Sequence, residues 1–521
     1  MITTPATGRL THLVSALQNP AVFSHPTERF EVVETHISIL LLTGPCVYKF
    51  LKPLDLGFLD FTSLQQRRHF CEEALRLNSR HAAEIYQDVI AITGDIHSPE
   101  INGEGEVLEY ALRMRQFDRN RELDKLAAKG ELTPAIIDRL ATAIAGFHEK
   151  ADSRTGSDIQ CVIDPVRQNL DHLEKALAGD PVYHDRIMQL QQWSYSEYER
   201  LQSTFESRMA EGFVRECHGD MHLGNIVLLD SEPVLFDCID FSEQLRWIDV
   251  INDLAFLIMD LHEHEVVHHA RRLLNRYLEI SGDYTGLGVL RFYLVYRALV
   301  RAKIAAIRQD QHDDDASMDE CHHYTDLAGT FIEPVHPVLF ITCGLSGSGK
   351  TRIGGMLLEY NGAVRVRSDV ERKRLRGLTA GESSHSSLGA DMYSADMSRR
   401  TYSRLAELAR TVIDAGYSAI VDATFLDEAR RQTFMQLAGE CNVPFVILYC
   451  HAGEATLRQR ILQRAAAGGD ASEADIKVLE YQLQHQQPLS ENEKNRCLWI
   501  DTEQPLDPKI LMHDIRSLTD P

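Results

Sequence analysis

Two short stretches of the sequence carry residue types that suit phosphate chemistry. The first is the run HGDMHLGN at residues 218–225, in which Asp220 and Asn225 lie five positions apart. Phosphoryl transfer needs a base for the attacking hydroxyl and oxygen ligands for Mg²⁺. Asp220 can accept the hydroxyl proton, and Asn225 can bind Mg²⁺ through its side-chain oxygen. Because Asp and Asn also favour turns, a polar β-turn is the alternative interpretation of this motif.

Further carboxylates follow this loop in the sequence. The apolar run VLFDCIDF at residues 234–241 contains Asp237 and Asp240, and either of them is a candidate ligand for Mg²⁺. Asp249 and Asp253 come next, at the start of a predicted helix, and we expect them to orient the loop.

The second stretch is GLSGSGKT at residues 344–351, which directly follows the apolar run VLFITC. Its glycines let backbone N–H groups turn inward on phosphates at the start of a helix. We expect the Lys350 ammonium to reach the β- and γ-phosphates and the Thr351 hydroxyl to bind Mg²⁺. A Ser/Gly-rich turn is the alternative, which the strand before and the helix after disfavour. The predicted ATP-binding residues of this loop are Gly344, Ser346, Gly347, Ser348, Gly349, Lys350 and Thr351.

Two later segments extend this second constellation. The strand-like run VDATF ends near Asp422, a candidate metal ligand. Residues 457–475 place three arginines at helical spacing before a glycine-rich segment, which is typical of a lid that closes over ATP. We expect Arg458 to bind the nucleotide, and Arg460 and Arg464 to supply charge to the transition state. A solvated helical face is the alternative.

The elements that would position these residues fall into two modules. The chain has 521 residues, of which 44% are hydrophobic and 25% charged, a globular composition. Residues 336–521 hold 22 basic and 24 acidic side chains, so nearly all of the net charge of −23 lies before them. Strand-like and helical runs alternate from residue 336, which predicts a parallel sheet covered by helices. We expect domains at 1–333 and 334–521, with the acidic run 309–320 as an exposed loop.

The first module also contains the other parts of an ATP site in kinase order. Residues 36–50 predict two strands around a TGP turn, and Lys49 in the second strand resembles the strand lysine of kinases. Glu72 or Glu73, on the predicted helix that follows, is a candidate partner for Lys49. The strand EYALRM, with Glu109 and Ala111, resembles the hinge whose backbone meets adenine.

This order of motifs resembles the aminoglycoside phosphotransferase and choline kinase branch of the protein-kinase-like fold. The runs FLKPLDLGFLDF (50–61) and FDCIDFSEQLRWIDVINDLAFL (236–257) resemble bacterial proteins in which such a domain is fused to a P-loop ATPase. The resemblance implies Asp220 as the catalytic residue, Lys49 as a phosphate ligand, and Asn225 and Asp237 as metal ligands, with Asp240 as the alternate. The sequence departs from the pattern in LLTGPC, which has one glycine and predicts weaker cover of the phosphates.

Residues 336–521 resemble the zeta-toxin, polynucleotide 5′-kinase and gluconate-kinase group of P-loop kinases. This resemblance implies that Asp369, which follows a second predicted strand, deprotonates the acceptor hydroxyl. Six basic residues between 364 and 376 then favour an anionic acceptor such as a nucleotide, a sugar phosphate or a nucleic-acid end. Surface charge on a helix is the alternative.

Apolar runs, the N-terminus and the cysteines indicate the cellular compartment. No apolar run approaches the ~20 residues of a membrane span, the N-terminus lacks a signal-peptide pattern, and ten cysteines include no C-x-x-C pair. We therefore expect a cytoplasmic protein without membrane contacts or disulfides; oligomeric state is not indicated. The expected fold combines α/β and α+β classes: a protein-kinase-like domain, then a P-loop NTPase sheet with helices on both faces.

The expected function is a bifunctional ATP- and Mg²⁺-dependent phosphotransferase acting on a hydroxyl of a small-molecule or nucleotide-like acceptor. A kinase of nucleic-acid 5′ ends with a degenerate first domain is one alternative. An ATP-driven switch without transferase activity is the other.

Overall fold

The computed structural model describes residues 5–55, 59–156, 158–312, 315–379, 382, 394–467 and 474–519. The chain forms two compact units. Unit 1 comprises Met1–Cys161 and Glu206–Asp260, and unit 2 comprises Val162–Phe205 and Leu261–Pro521. Among the described residues, no helix has the length and apolar character that crossing a bilayer requires.

Strands occur in both units. In chain order they are β1 Glu31–Glu34, β2 Ser38–Leu42, β3 Cys46–Leu51, β4 Tyr86–Asp95, β5 Ser98–Ile101, β6 Val107–Arg115, β7 Val214–Glu216, β8 Ile226–Leu229, β9 Glu232–Leu235, β10 Trp247–Asp249, β11 Leu339–Cys343, β12 Val364–Arg367, β13 Ala419–Asp422, β14 Phe445–His451 and β15 Cys497–Asp501.

The helices are α1 Pro5–Ala16, α2 Leu64–Ala82, α3 Leu123–Ala128, α4 Pro134–Lys150, α5 Gln160–Ala176, α6 Pro181–Ala210, α7 Glu243–Arg246, α8 Val250–Glu263, α9 Val267–Ser281, α10 Leu287–His312, α11 Asp315–Phe331, α12 Lys350–Asn361, α13 Ser368–Arg374, α14 Ala395–Asp414, α15 Glu428–Glu440, α16 Glu454–Ala467, α17 Ile476–His485, α18 Glu491–Lys494 and α19 Pro508–Thr519. Residues 309–312 and 315–320 are thus helical, so the predicted loop at 309–320 is wrong there. The cause is a close pairing of α10 with α11, which the acidic composition of the segment does not reveal.

Unit 1 contains a six-stranded antiparallel sheet in the order β1-β2-β3-β6-β4-β5. Side chains alternate between the two faces of a strand. Tyr48 and Phe50 in β3 are buried against α1 on one face. Leu51 packs with Cys71 of α2 on the other face, and Lys49 shares that face by its position in the alternation.

A short hairpin in unit 1 brings distant polar residues together. Strands β8 and β9 pair with Ile226 opposite Leu235 and are joined by Asp230 and Ser231. Both turn residues have positive φ, 46° and 72°, as a two-residue hairpin turn requires. Asn225 stands just before this hairpin and Asp237 just after it, so the pairing register places the two residues near one another.

Unit 2 contains the predicted parallel sheet, with strand order β12-β13-β11-β14-β15. Every residue of the central strand β11 is buried, as expected for a strand covered on both faces. Phe340 packs in a cluster with residues of α12 and α19, and α14 contacts β12 and β13. The predicted fold class is therefore confirmed.

Candidate active sites

The loop at residues 218–225 is held by a buried carboxylate in unit 1. Asp253 accepts hydrogen bonds from the backbone N–H groups of His218 and Gly219, both at 2.9 Å. Burial raises the pKa of Asp253, but hydrogen bonding to His148 and the loop lowers it below its ordinary value overall. Asp253 thus has the orienting role that we expected, whereas Asp249 instead binds Arg208 at 2.7 Å.

Asp220 and Asn225 meet across this loop. The side-chain amide nitrogen of Asn225 donates to the main-chain oxygen and to a carboxylate oxygen of Asp220, at 2.9 and 3.0 Å. The amide oxygen of Asn225 is then the atom that suits a metal ion. Phe236 donates its backbone N–H to the Asn225 carbonyl at 2.9 Å, which fixes the distance between the loop and the segment that carries Asp237.

Lys49 contacts the second carboxylate segment. Its Nζ lies 2.9 Å from Oδ1 of Asp237. Burial lowers the pKa of Lys49, but the charges of Asp237 and Asp240 outweigh burial and raise it. Asp240 is buried, and burial raises the pKa of its carboxyl to about 6 despite the opposing charge of Lys49. Lys49, Asp237 and Asp240 therefore form one electrostatic cluster with groups suited to phosphate and Mg²⁺.

Asp237 adopts a backbone conformation that is uncommon for residues other than glycine. Its φ is 62°, and its N–H donates to the Tyr86 hydroxyl at 2.9 Å. The sequence does not indicate that Tyr86 belongs to the site, because a tyrosine at the start of a strand gives no sign of which backbone group its hydroxyl will bind. Its contact helps to hold the unusual turn.

The structure does not bring Glu72 to Lys49. Glu72 accepts a hydrogen bond from Arg68 at 2.8 Å and its side chain is half exposed, while Glu73 binds Arg76. The positions of these residues around the helix explain the difference: α2 turns Cys71 inward, toward the face of Lys49, and Glu72 outward. Glu73 is partly buried, and its carboxylate lies near Arg76 and Arg246. Burial raises the pKa of the Cys71 thiol to about 12.

Glu109 and Ala111 also differ from their expected role at adenine. The Glu109 carboxylate is buried and accepts from Arg67 at 2.8 Å. Ala111 pairs with Phe50 of β3 and with Ile90 of β4, and it is fully buried in mid-sheet. Because both edges of β6 are occupied at Ala111, its backbone has no group to offer a base.

In unit 2, the glycines of the loop at 344–351 permit close approaches that other residues would block. Gly344, Gly347 and Gly349 have φ of 142°, 81° and 87°. A Cβ at Gly344 would lie 2.3 Å from the Cys450 carbonyl oxygen, and one at Gly347 would lie 2.8 Å from that of Leu457. The loop therefore takes a compact shape, as a phosphate cradle requires.

The donors of this loop fit an anion. Within the described part of the chain, the backbone N–H groups of Gly347, Gly349 and Lys350 donate to no protein acceptor. Ser346 donates its N–H to Oε1 of Gln482 at 2.8 Å. Lys350 donates to the Leu345 carbonyl at 2.7 Å, and burial lowers the pKa of its ammonium. Backbone N–H groups without acceptors among the described residues, together with an ammonium, match a polyphosphate.

The same loop also contains a side-chain hydroxyl without a hydrogen-bond partner among the described residues. The Ser348 hydroxyl is buried and has no hydrogen-bond partner among the described residues. Thr351 follows at the start of α12, with its side chain exposed at the cavity.

The loop opens into a cavity of about 700 Å³. Asp369 and Asp422 both line it, together with Lys350 and Thr351. Asp422 is 6% exposed and its Oδ1 accepts from the Thr342 hydroxyl at 3.3 Å. Further lining residues that sequence reasoning missed are Ser398, Tyr402, Asp427, Arg430, Tyr481 and Gln482. They lie on helices that no motif marks, and only the tertiary fold brings them to the loop.

Two of the three arginines on α16 reach this cavity. Arg460 donates to the Thr502 hydroxyl at 2.8 Å and to the Gly347 carbonyl at 3.3 Å, and Arg464 donates to the Ala474 carbonyl at 2.8 Å. Arg458 does not line the cavity: it binds Glu454 and Glu480 at the surface. The helical spacing of 100° per residue explains this difference, since Arg458 faces away from the side of α16 that carries Arg460 and Arg464.

The basic run at residues 364–376 is largely neutralised within unit 2. Glu279 of α9 is 2% exposed and lies 2.8 Å from Arg365 and 4.0 Å from Arg367. Arg374 donates to the Glu279 carbonyl at 2.6 Å. Arg367 in turn lies 3.9 Å from Asp422. The run is therefore mainly a structural ion-pair network, and Arg367 and Arg372 are its members that line the cavity.

Comparison with known proteins agrees with this two-part construction. Residues 79–293 match the model of the phosphotransferase enzyme family, and residues 339–489 match a model described as an AAA domain. The predicted boundary at 333 falls between these regions and stays a prediction. Uncharacterized proteins of Mycobacterium tuberculosis and Mycobacterium bovis are 30% identical over 452 residues, 85% of this chain and 88% of theirs.

Solved structures similar to parts of the chain include a choline/ethanolamine kinase family protein from Mesorhizobium loti, with 12% identity and a TM-score of 0.39 over 62% of this chain and 95% of that one. A gluconokinase from Sinorhizobium meliloti has 18% identity and a TM-score of 0.24 over 36% and 91%. By its relationship to the mycobacterial proteins, the chain belongs to their family. It joins a phosphotransferase-enzyme region to a P-loop region, and it is an ATP-dependent kinase that uses Mg²⁺.

Proposed function

We propose that the chain is a bifunctional phosphotransferase with one Mg-ATP site in each unit. The observation that carries this proposal is that two separate constellations each combine a lysine for phosphates, oxygen groups for Mg²⁺ and an aspartate for an acceptor hydroxyl. ATP supplies the γ-phosphoryl group, and Mg²⁺ neutralises charge on its phosphates. In each site the acceptor oxygen bonds to the γ-phosphorus as the bond to ADP breaks, and the hydroxyl proton passes to the aspartate.

In unit 1 we assign Asp220 to the acceptor hydroxyl and Lys49 to the phosphates. Asn225 and Asp237 would hold the metal ion, with Asp240 as a second carboxylate. The contact between Lys49 and Asp237 supports this assignment, because it places an ammonium that can bind phosphate beside a carboxylate that can bind a metal ion. Burial raises the pKa of Asp240, and a bound cation would stabilise the charged form of this carboxyl.

In unit 2 we assign the loop 344–351 to the triphosphate, Thr351 and Asp422 to the metal ion, and Asp369 to the acceptor hydroxyl. Arg460 and Arg464 would stabilise charge on the transferred group. The cavity volume of about 700 Å³ suits a nucleotide together with a small acceptor. We therefore favour a small-molecule acceptor over a nucleic-acid end, and the internal neutralisation of the basic run by Glu279 supports this choice.

The test uses the full chain and three variants, Asp220→Ala, Lys350→Ala and the double variant. Each is incubated with γ-labelled ATP, Mg²⁺ and a small-molecule extract, and labelled products are identified by mass spectrometry. We expect each single variant to lose a different part of the transfer and the double variant to lose all of it. Glu72→Ala is the matched control, because Glu72 is exposed and bound to Arg68.

Transfer that survives in the double variant would contradict the proposal. If labelled oligonucleotide is the product and Asp369→Ala abolishes it, the alternative of a nucleic-acid end kinase replaces it. ATP binding without any transfer by the wild type would favour a switch.

A further inference from the structure

Part of the wall of the unit 2 cavity comes from α14 and α15 rather than from the phosphate loop. Three lining side chains form what we call the Arg430 cluster: Ser398 and Tyr402 of α14, and Arg430 of α15. The Arg430 guanidinium lies 4.1 Å from the centre of the Tyr402 ring, and its Nη2 donates to the Ser398 hydroxyl at 2.9 Å. Tyr402 is itself held edge-on by Phe425, with ring centres 5.3 Å apart.

Arg430 differs from Arg372 and Arg460 in its partners. Arg372 binds Asp369 at 2.9 Å, and Arg460 is bound by Thr502. Arg430 forms no ion pair within the described residues, and its Nε and Nη1 donate to no protein group there. A guanidinium that is stacked, oriented and without a carboxylate presents an open fork of donors.

The position of Arg430 in its helix makes its positive charge unfavourable. Arg430 lies in the first turn of α15, where the helix dipole disfavours a positive charge. A cation held there in a cavity, without an ion-pair partner among the residues that the structure describes, costs stability that a bound anion would offset. The cluster thus has the properties of a ligand site rather than of a structural contact.

We propose that the Arg430 cluster is the acceptor subsite of unit 2 and that it binds a carboxylate or phosphate group of a small acceptor. The inference rests on the proposed function, because it assumes that the acceptor hydroxyl lies at Asp369 in the same cavity. Arg430 is then a specificity-determining residue, which selects anionic acceptors. Tyr402 fixes the plane of its guanidinium for two-point binding.

The test measures binding to the full chain, with Mg²⁺ and a non-hydrolysable ATP analogue at saturation so that the phosphate loop is filled. Three probes share one carbon skeleton: glycerate, glycerol 3-phosphate and neutral glycerol. Isothermal titration calorimetry on wild type, Arg430→Gln and Arg430→Lys gives the affinities. Arg399→Gln is the matched control, because Arg399 lies on α14 but is exposed and bound to Asp396.

We expect wild type and the control to bind at least one anion more tightly than glycerol, and the relative affinity of the two anions identifies the charged group. Arg430→Gln should weaken anion binding about tenfold, the loss of one charge-assisted contact. Arg430→Lys should be intermediate, because it keeps the charge but loses the planar fork. Affinity for the ATP analogue should not change, which also shows that the variants fold.

The inference is contradicted if neither anion binds the analogue-loaded wild type, if glycerol binds equally well, or if Arg430→Gln leaves anion affinity unchanged. These outcomes leave the proposed function intact. Failure of the ATP analogue to bind wild type would instead contradict the proposed function itself.

Discussion

The two units differ most in the loop that would cover phosphates. In unit 1 this loop is the turn between β2 and β3, where Thr43 donates its N–H to the Cys46 carbonyl at 2.9 Å and Gly44 donates to Gln116 at 3.1 Å. Pro45 has no N–H. In unit 2 the loop 344–351 keeps several N–H groups without acceptors in the part of the chain that the structure describes. The N–H groups of the turn in unit 1 are bonded within the protein, whereas several of those in unit 2 are available to an anion.

Under the proposed function, this difference would give two ways of holding the same ligand. Unit 1 would depend on side-chain charge, with Lys49 near two carboxylates, whereas unit 2 would depend on backbone amides together with Lys350. Charge held on side chains is sensitive to pH and to the loss of one group. Backbone donors are sensitive instead to the shape of the loop.

The largest expected effect comes from the two lysines. With Lys49→Ala as background, Lys350→Ala should weaken ATP-analogue binding in unit 2 about hundredfold, because an ammonium that faces phosphates is lost. With Lys350→Ala as background, Lys49→Ala should have an effect of at least similar size in unit 1, where the turn offers no amides. Calorimetric titration measures both, and a much smaller effect of Lys49→Ala would contradict the comparison.

The next largest expected effect is a dependence of stability on pH, which comes from Asp240 of unit 1. The folded pKa of Asp240 is about 6, above the ordinary 3.8, so its buried charge destabilises the folded state. This destabilisation is absent below about pH 4, grows as the pH rises, and is complete above about pH 6. Asp240→Asn should therefore raise the free energy of unfolding by about 2–3 kcal/mol at pH 8 without Mg²⁺, and by much less at pH 4.5. Denaturant unfolding at both pH values checks this. A gain that is equal at both would show that the charge is not the cause.

Two matched glycine substitutions test the shape of the loops. Gly347→Ala forces an alanine to φ +81° and against the Leu457 carbonyl, so we expect it to cost about 2–4 kcal/mol and to abolish analogue binding in unit 2. Gly44→Ala has similar φ, +96°, but nothing within 4 Å of the new Cβ. It should cost only about 1 kcal/mol and leave analogue binding nearly unchanged. Equal effects on binding would remove the distinction between the loops.

The smallest expected effect concerns Gln482, which accepts the Ser346 N–H in the structure. An anion in the loop competes with this contact. Gln482→Ala should therefore raise analogue affinity in unit 2 about threefold, in proportion to one modest hydrogen bond. Gln486→Ala, just beyond the end of α17, is the control. Weaker binding in Gln482→Ala would mean that Gln482 contacts the nucleotide instead.

The sequence allowed prediction of much of the fold, because periodicity and motif context are local. The parallel sheet of unit 2, the TGP turn and the strand that carries Lys49 are examples. Glu72 and Ala111 show the limit: a helix turned by one residue, or a strand paired on both edges, changes what a side chain or a backbone group can reach. The Arg430 cluster shows another limit, since α14 and α15 approach the loop only through tertiary packing. The roles assigned to Asp220, Asn225 and Asp369 stay predictions.

Glu279 has a consequence for how this chain can evolve. It lies inside the region matched by the phosphotransferase model, yet its carboxylate neutralises Arg365 and Arg367 of the P-loop region. A gene rearrangement that exchanged the P-loop region at the sequence boundary would leave the buried Glu279 carboxylate without Arg365 and Arg367, and would leave Arg365 without its counter-charge. We expect the acid and its arginines to be inherited as a set, so that relatives which lose one have also replaced the others.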